Sequence, residues 1–208
     1  EIEKLTGTTH HIGWWTYGRT LKAGEQEVES DMMNFSLDYK DIMDLTIKEG
    51  RYFDKDLYEF DKENSIIMNE ALVREFGWDE PIGKVVQIDD STRLTVVGVM
   101  EDFYMYGFFN PVEPCGFRLA DKEEMNFVVI KSDVNPTELR DKMEAKWYEV
   151  APNTPFNASF IDQQLAGTDE VNTNISTMFK FLGALALILS SIGLYTLVSL
   201  NIIKRVKE

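Results

Sequence analysis

The sequence has little of what most enzyme and metal sites use: one cysteine and two histidines in 208 residues. A single cysteine excludes an intrachain disulfide. That residue, Cys115, lies between Pro114 and Gly116 with no histidine near it in sequence. A cysteine nucleophile needs a neighbouring base, so the sequence does not support that role.

Metal sites are also poorly supported. His10 and His11 are adjacent, and neighbours in a strand point to opposite faces, so we do not expect them to share one metal ion. The acidic stretch Asp54-Lys55-Asp56 lacks the alternating ligands and the glycine of a calcium loop. The sequence therefore predicts no metal ligand.

A nucleotide site of the phosphate-loop type is missing as well. Gly83-Lys84 is followed by valine, and no glycine stands five residues before Gly83. The many carboxylates are scattered over acidic loops without a spacing typical of an acid–base pair. We therefore expect no catalytic residue, no cofactor-binding residue and no cofactor, and we expect the chain not to be an enzyme.

The charge is strongly one-sided. The net charge is −15, although the last thirty residues carry four basic residues and one acidic residue. The remainder is thus even more acidic than the whole and repels phosphate backbones, so nucleic-acid binding is not expected. The hydrophobic content of 44% and aromatic content of 12% are those of a folded chain.

A long apolar run near the C-terminus indicates a membrane-spanning segment beside the acidic domain. Residues 181–203 contain no charged residue, and a helix of that length covers about 34 Å, enough to cross a membrane. Lys204, Arg205 and Lys207 follow the run, whereas only Lys180 precedes it. Basic residues mark the cytoplasmic side, so we expect a cytoplasmic C-terminus and residues 1–177 outside.

The flanks of the run predict more than a simple anchor. Ala186 and Ser190 are four residues apart, which lets another helix approach closely. Upstream, apolar residues in 162–180 recur at helical spacing between acidic and amide residues, with Gly167 near the start. We expect an amphipathic stalk helix that continues into the span as one rod.

The outer part reads as α+β. Patterning predicts strands at Ser65–Met68 and Phe127–Lys131, with Asn69 capping a helix that Gly77 ends. Residues 84–88 and 93–100 alternate like a strand pair, and Pro136 opens a helix.

Three further local expectations concern the two ends of the outer part. We expect a helix end at Glu1–Leu5, a polar turn at Lys22–Glu29 and a strand at Phe156–Ile161. The resulting strand–helix–strand unit is typical of ferredoxin-like α+β domains.

Six short motifs follow one another along the chain. They are Glu49-Gly50-Arg51-Tyr52-Phe53; Ile67-Met68-Asn69-Glu70-Ala71 with Phe76-Gly77; Pro81-Ile82-Gly83-Lys84; Val96-Val97-Gly98-Val99-Met100-Glu101-Asp102-Phe103; Asn110-Pro111-Val112-Glu113-Pro114; and Ile192-Gly193-Leu194-Tyr195 through Lys204-Arg205-Val206-Lys207-Glu208. In this order they resemble the periplasmic core domain of MacB-like permeases followed by the start of an FtsX-like transmembrane region.

The resemblance implies a definite architecture. A ferredoxin-like (porter-type) lobe, residues 1–53 and 120–161, would be split by an inserted small mixed α/β (sabre-type) lobe, residues 54–119. The stalk 162–180, the transmembrane helix 181–203 and a basic cytoplasmic end 204–208 would follow. Permeases of this type have at least four spans, so we expect the chain to be part of a longer protein.

The resemblance also implies function and partners. The chain would be the extracytoplasmic domain of an ABC transporter permease in a bacterial inner membrane. It would couple ATP hydrolysis by a cytoplasmic ATPase to export, lipoprotein extraction or regulation of envelope partners. A second permease copy, and a periplasmic partner protein or a lipoprotein or peptide substrate, are the other partners implied.

Two other functions are compatible with the residues alone. One is a single-span envelope sensor or adhesion domain, and the other is a membrane-anchored hydrolase that uses acidic residues. Aromatic residues after Asp102 (Tyr104, Tyr106, Phe108 and Phe109) are a candidate contact patch, with core packing as the alternative.

Overall fold

The computed structural model of the chain describes residues 2–11, 16–105 and 111–207. The chain divides into two units, Glu1–Ile161 and Asp162–Glu208. The first unit holds a mixed sheet with short helices, and the second is a single long helix. The α+β class expected from the sequence is therefore confirmed.

The strands and helices are numbered in chain order. The strands are β1 (Ile2–Thr8), β2 (Tyr17–Ala23), β3 (Gln26–Phe35), β4 (Ile47–Gly50), β5 (Ser65–Asn69), β6 (Val85–Gln87), β7 (Arg93–Met100), β8 (Cys115–Leu119) and β9 (Phe127–Ser132). The helices are α1 (Tyr39–Ile42), α2 (Tyr58–Asn64), α3 (Glu70–Glu75), α4 (Pro136–Val150) and α5 (Ile161–Lys207).

Six of these strands close into a ring. Their order is β2-β6-β7-β5-β8-β3, and β3 pairs again with β2. The long strand β3 makes this possible, because its first part pairs antiparallel with β2 and its second part pairs parallel with β8. Each of these six strands has a neighbour on both sides, although β2 and β6 pair only at Lys22 and Gln87.

The remaining strands extend the sheet from the ring. Strand β1 lies beside β3, and β9 pairs antiparallel with β1 along its length, with Thr6 opposite Val129. Strand β4 pairs with β7. Strands from residues 17–35 and from residues 65–119 thus belong to one sheet, and the division into two lobes with their boundaries stays a prediction.

Two apolar cores stabilise the first unit. One lies around α1, where the rings of Phe35 and Tyr39 stack 5.0 Å apart and Phe117 packs beside them. The other gathers side chains of β2, β3, β5, β6 and β7 with Leu72 of α3 and with Phe76, which directly follows that helix. Burial of these side chains is the main favourable contribution to folding.

Several local predictions from patterning are confirmed. Asn69 caps α3 by accepting a hydrogen bond from the Leu72 amide, and Gly77 after that helix has φ +63°. Strands β6 and β7 pair as predicted. Helix α4 begins at Pro136 with Asn135 as its cap.

The prediction of a helix at Glu1–Leu5 is wrong, because residues 2–8 form β1. Thr6 and Thr8 are buried on one face of this strand, and β9 supplies its hydrogen-bond partners. A seven-residue segment with β-branched residues follows the pairing that the tertiary fold provides rather than its weak local preference.

Two other expectations are corrected. The supposed polar turn at Lys22–Glu29 is a tight hairpin in which β2 and β3 pair from Ala23 and Gln26 onward. Residues 156–160 are not in a strand, and α5 begins at Ile161. The ferredoxin-like arrangement, which counted on a strand there, stays a prediction.

The second unit consists almost entirely of α5, a 47-residue helix about 70 Å long that begins one residue before the unit. Its segment Asn174–Ser199 has a mean hydropathy of 2.1, and the apolar window in it is not buried by the rest of the protein. Two of its hydroxyl groups bond within the helix, since Ser191 donates to the Leu187 carbonyl and Thr196 to the Ile192 carbonyl. The predicted stalk and span fall within this one helix.

Candidate functional site

The two histidines, considered above as metal ligands, contact different aromatic neighbours. The ring of His10 packs edge-on against Tyr17 at 4.6 Å, whereas His11 lies beside Phe127. Desolvation on burial lowers the pKa of both histidines. In the part of the chain that the structure describes, no three His, Cys, Asp or Glu side chains are placed to hold a metal ion.

Cys115 is an interior residue. It is fully buried at the start of β8, and burial, with a smaller effect of Asp31, raises the pKa of its thiol well above the usual value. Its amide donates to Asn69, and its sulfur contacts the Gly116 carbonyl. A protonated thiol in this position packs as a small apolar side chain.

Asn69 joins three segments at the N-terminus of α3. Its Oδ1 accepts hydrogen bonds from the amides of Leu72 and Cys115, both at 2.9 Å. Its Nδ2 donates to the Glu113 carbonyl at 2.8 Å. Because the side chain is only 2% exposed, these bonds replace water that cannot reach the groups.

Asp102 makes a second connection to the same helix end. Its carboxylate accepts hydrogen bonds from the Ala71 amide at 2.8 Å and from the Arg74 guanidinium at 2.7 Å. In return, the Asp102 amide donates to the Glu70 carboxylate. Glu70 also pairs with Lys48, and chiefly this hydrogen bond, with the bond from Asp102, lowers its pKa.

These two connections tie both ends of the segment 103–114 to the N-terminus of α3. Tyr104 is 47% exposed, whereas Phe103 packs on Phe117 and Met105 is buried. The other members of the candidate aromatic patch (Tyr106, Phe108 and Phe109) lie outside the described residues. Sequence reasoning singled out the aromatic residues and missed Asp102 as an anchor.

We expect Asn69→Ala to lower the free energy of unfolding by about 2 kcal/mol. The variant loses the cap of α3 and leaves the Cys115 amide and the Glu113 carbonyl without a partner. Chemical unfolding followed by tryptophan fluorescence measures the change. Asn69→Ser, which keeps a hydroxyl acceptor for the Leu72 amide as the cap of α3, should lose about half as much, and equal losses in the two variants would contradict this account.

Asn69 and Asp102 form one polar centre at the start of α3, and the Glu49-Gly50-Arg51 motif forms a second. Gly50, with φ +72°, lies opposite Gly98 of β7, so that the two backbones approach closely. Arg51 then donates two hydrogen bonds of 2.7 Å to the carboxylate of Asp61, one from each terminal nitrogen. Asp61 is fully buried and also accepts from the Asp54 amide and the Ser65 hydroxyl.

An open groove of about 380 Å³ lies beside this centre. It is lined by residues 51–55 and, before and within α1, by Leu37, Asp38, Lys40 and Asp41. Lys40 lies 5.7 Å above the ring of Tyr52 and pairs with Asp41. The groove therefore presents charges of both signs, and Arg51 on its wall is already bound to Asp61.

Comparison with known proteins identifies the family that shares these features. Residues 4–146 match the MacB-like periplasmic core domain, a region that includes both polar centres and the ring of strands. The chain belongs to the family of MacB-like periplasmic core domains.

Solved structures share the fold. They include the periplasmic region of MacB from Actinobacillus actinomycetemcomitans (16% identity, 72% of this chain and 67% of that one covered, TM-score 0.53). The extracellular domain of the noncanonic ABC-type transporter YknZ from Gram-positive bacteria matches with 12% identity, coverage of 74% and 78%, and TM-score 0.55. A domain of a putative permease protein from Porphyromonas gingivalis matches with 18% identity, coverage of 79% and 82%, and TM-score 0.53.

No curated protein sequence matches the chain. Membership of the MacB-like family, together with the long apolar helix in the same chain, identifies residues 4–146 as the periplasmic domain of an ABC transporter permease. Such domains are generally non-catalytic. In this MacB-like domain the motif residues Gly50, Arg51, Asn69, Gly98 and Asp102 hold the fold together.

Proposed function

We propose that the chain couples ATP hydrolysis in the cytoplasm to movements of a periplasmic domain. The observation that carries the proposal is the succession, in one chain, of a MacB-like periplasmic core domain and a helix that can cross a membrane. A cytoplasmic ABC ATPase would supply the energy, and a second copy of the permease, or a homologous permease, would complete the membrane bundle.

The proposed location is the bacterial inner membrane. The basic residues Lys204, Arg205 and Lys207 follow the apolar run, which supports a cytoplasmic C-terminus with residues 1–177 in the periplasm. The acidic outer domain would be repelled by anionic headgroups, which favours its standing away from the membrane surface.

In the periplasm the permease would serve one of three functions: export, lipoprotein extraction or regulation of envelope partners. A periplasmic protein, a lipoprotein or a peptide would be the object of that work. The proposed means of coupling is relative movement of a ferredoxin-like lobe and an inserted lobe. Strands of both proposed lobes belong to one sheet.

The test is ATP-dependent movement of the outer domain in the complete permease. Asp90, at the exposed turn between β6 and β7, is replaced by cysteine and spin-labelled in membrane nanodiscs together with the ATPase that co-purifies with the permease. Buried Cys115 does not compete for the label. We expect the distance between labels on two permease copies to change when ATP and vanadate trap the complex.

An ATPase variant that binds but cannot hydrolyse nucleotide is the matched control for trapping. If no ATPase co-purifies, or if the distances are the same with and without trapped nucleotide, the coupling function is wrong. A single-span sensor, the alternative from the sequence, predicts that result.

A further inference from the structure

Helix α4 is fastened at its two ends more than along its sides. None of its residues is buried, although Leu139 and Met143 are half-buried. At its N-terminus the Asn135 side chain accepts hydrogen bonds from the amides of Thr137 and Glu138. This end follows directly from β9, which pairs with β1.

The C-terminal end of α4 is closed by a cluster that we call the Trp147 clasp, made of Trp147, Ala151, Thr154 and Phe156. The indole N–H of Trp147 donates to the Thr154 carbonyl at 2.8 Å, and the Trp147 ring lies 6.3 Å from that of Phe156. The Ala151 amide donates to the Trp147 carbonyl, and the Thr154 amide donates to the Ala151 carbonyl.

Two prolines reinforce the clasp. Pro152 occupies the second position of the turn that the Ala151–Thr154 hydrogen bond closes, where its fixed φ suits the turn. Pro155 follows immediately and restricts Thr154 to an extended conformation. The chain after α4 therefore folds back on the last turn of the helix through specific contacts and has little conformational freedom.

Residues 151–160 are the covalent connection between α4 and the long helix α5. A flexible linker of this length fluctuates over about 18 Å and would absorb small displacements of the helix. A connection held by hydrogen bonds and ring contacts passes such displacements on. Half of this connection is held by the clasp.

We infer that the Trp147 clasp makes this connection a folded strap that transmits displacement of α5 to α4 and through it to β9. The inference rests on the proposed coupling function and names the contact on which the coupling depends. The strap is joined to the C-terminal end of a helix with no buried residue, so the helix can move with little repacking and carry the displacement to β9 at its capped N-terminus.

The experiment uses the complete permease with its ATPase in nanodiscs. In Trp147→Phe the ring opposite Phe156 is kept and the hydrogen-bond donor is lost, whereas Trp147→Ala removes both. Tyr148→Ala is the matched control, because Tyr148 is the adjacent exposed aromatic residue of α4 and lies outside the clasp. Hydrogen exchange at the Thr154 amide reports the clasp itself.

We expect Trp147→Phe to speed hydrogen exchange at the Thr154 amide about fivefold, because losing one hydrogen bond favours opening of the clasp by about that factor. With spin labels at Arg140→Cys in α4 and Asn157→Cys in the connection, Trp147→Ala should broaden the distance distribution about twofold as the strap becomes a coil. The basal ATPase rate should not change, and Tyr148→Ala should behave as the wild type.

The deciding measurement is the ATP-dependent change at the Asp90→Cys label pair. The inference predicts that Trp147→Ala loses most of this change and Trp147→Phe part of it. If both variants keep the full wild-type change, the strap does not transmit movement and the inference is wrong. If the wild type shows no change, the proposed function fails first, so the two failures are distinguishable.

Discussion

Replacing Gly98 with alanine is expected to lower the free energy of unfolding of the outer domain by about 3 kcal/mol. A Cβ atom on Gly98 would lie 2.2 Å from the carbonyl oxygen of Arg51. The obstacle is backbone rather than the end of a flexible side chain, so strands β4 and β7 must separate to relieve it. That separation would weaken the pairing at Gly50 and the register that places Arg51.

Gly18→Ala is the matched control for this substitution. Gly18 also lies in a strand, and a Cβ atom there would meet nothing within 4 Å. We expect Gly18→Ala to change stability by less than about 0.5 kcal/mol. Chemical unfolding followed by tryptophan fluorescence in detergent compares the two, with Trp78, stacked on Phe76, as a probe of the second apolar core. Similar stabilities for both variants would show that the β4–β7 approach is not tight.

Removing the guanidinium in Arg51→Ala should cost about 3–5 kcal/mol at neutral pH, because a buried carboxylate loses its cation. Asp61 would keep only the hydrogen bonds from Asp54 and Ser65. Arg51→Lys keeps the charge without the two-point contact and should lose less. Arg74→Ala, which removes an exposed arginine bound to Asp102, should lose about 1 kcal/mol or less.

The pH dependence of the stability of Arg51→Ala shows whether ionised Asp61 causes the loss. Burial raises the pKa of Asp61, but the hydrogen bonds from Arg51, Asp54 and Ser65 and the charge of Arg51 outweigh it, so the net pKa lies below the usual 3.8. The wild type therefore has this stabilisation in full above the unfolded pKa and loses it as the pH falls through the lower folded pKa.

Without Arg51, burial dominates, and Asp61 takes up a proton at a higher pH than in the wild type. The stability difference between wild type and Arg51→Ala should therefore be largest near neutral pH and shrink as the pH falls towards 4. Unfolding curves at several pH values measure it. A difference that is constant over this range would mean that Asp61 is not the group responsible.

The sequence allowed prediction where local chemistry decides structure. Asn69 before an apolar helical segment, Gly77 after it, and Pro136 at a helix start act through their own backbone neighbours. The apolar run after Lys180 needs only its length and its lack of charge. The order of the motifs was enough to indicate the family, which residues 4–146 confirm.

Prediction failed where the structure of a segment depends on contacts beyond its immediate neighbours, some close in sequence and some distant. Residues 2–8 are a strand because β9, more than a hundred residues later, pairs with them. Residues 156–160 lie outside any strand, and their neighbour Trp147 holds the chain in a turn instead. The motifs likewise carried no sign that Arg51 and Asp61 pair, since nothing in their spacing distinguishes that pair from other charges.

The sequence by itself determined that the chain is strongly acidic before its long apolar segment and basic directly after it. These properties depend on composition and order alone, because solvent and membrane act on each residue separately. Only the tertiary structure decided that six strands close into a ring, that Gly50 and Gly98 let two backbones meet, and that Trp147 folds the connection to α5. Each of these depends on which non-neighbouring residues come into contact, and local preference alone does not select those contacts.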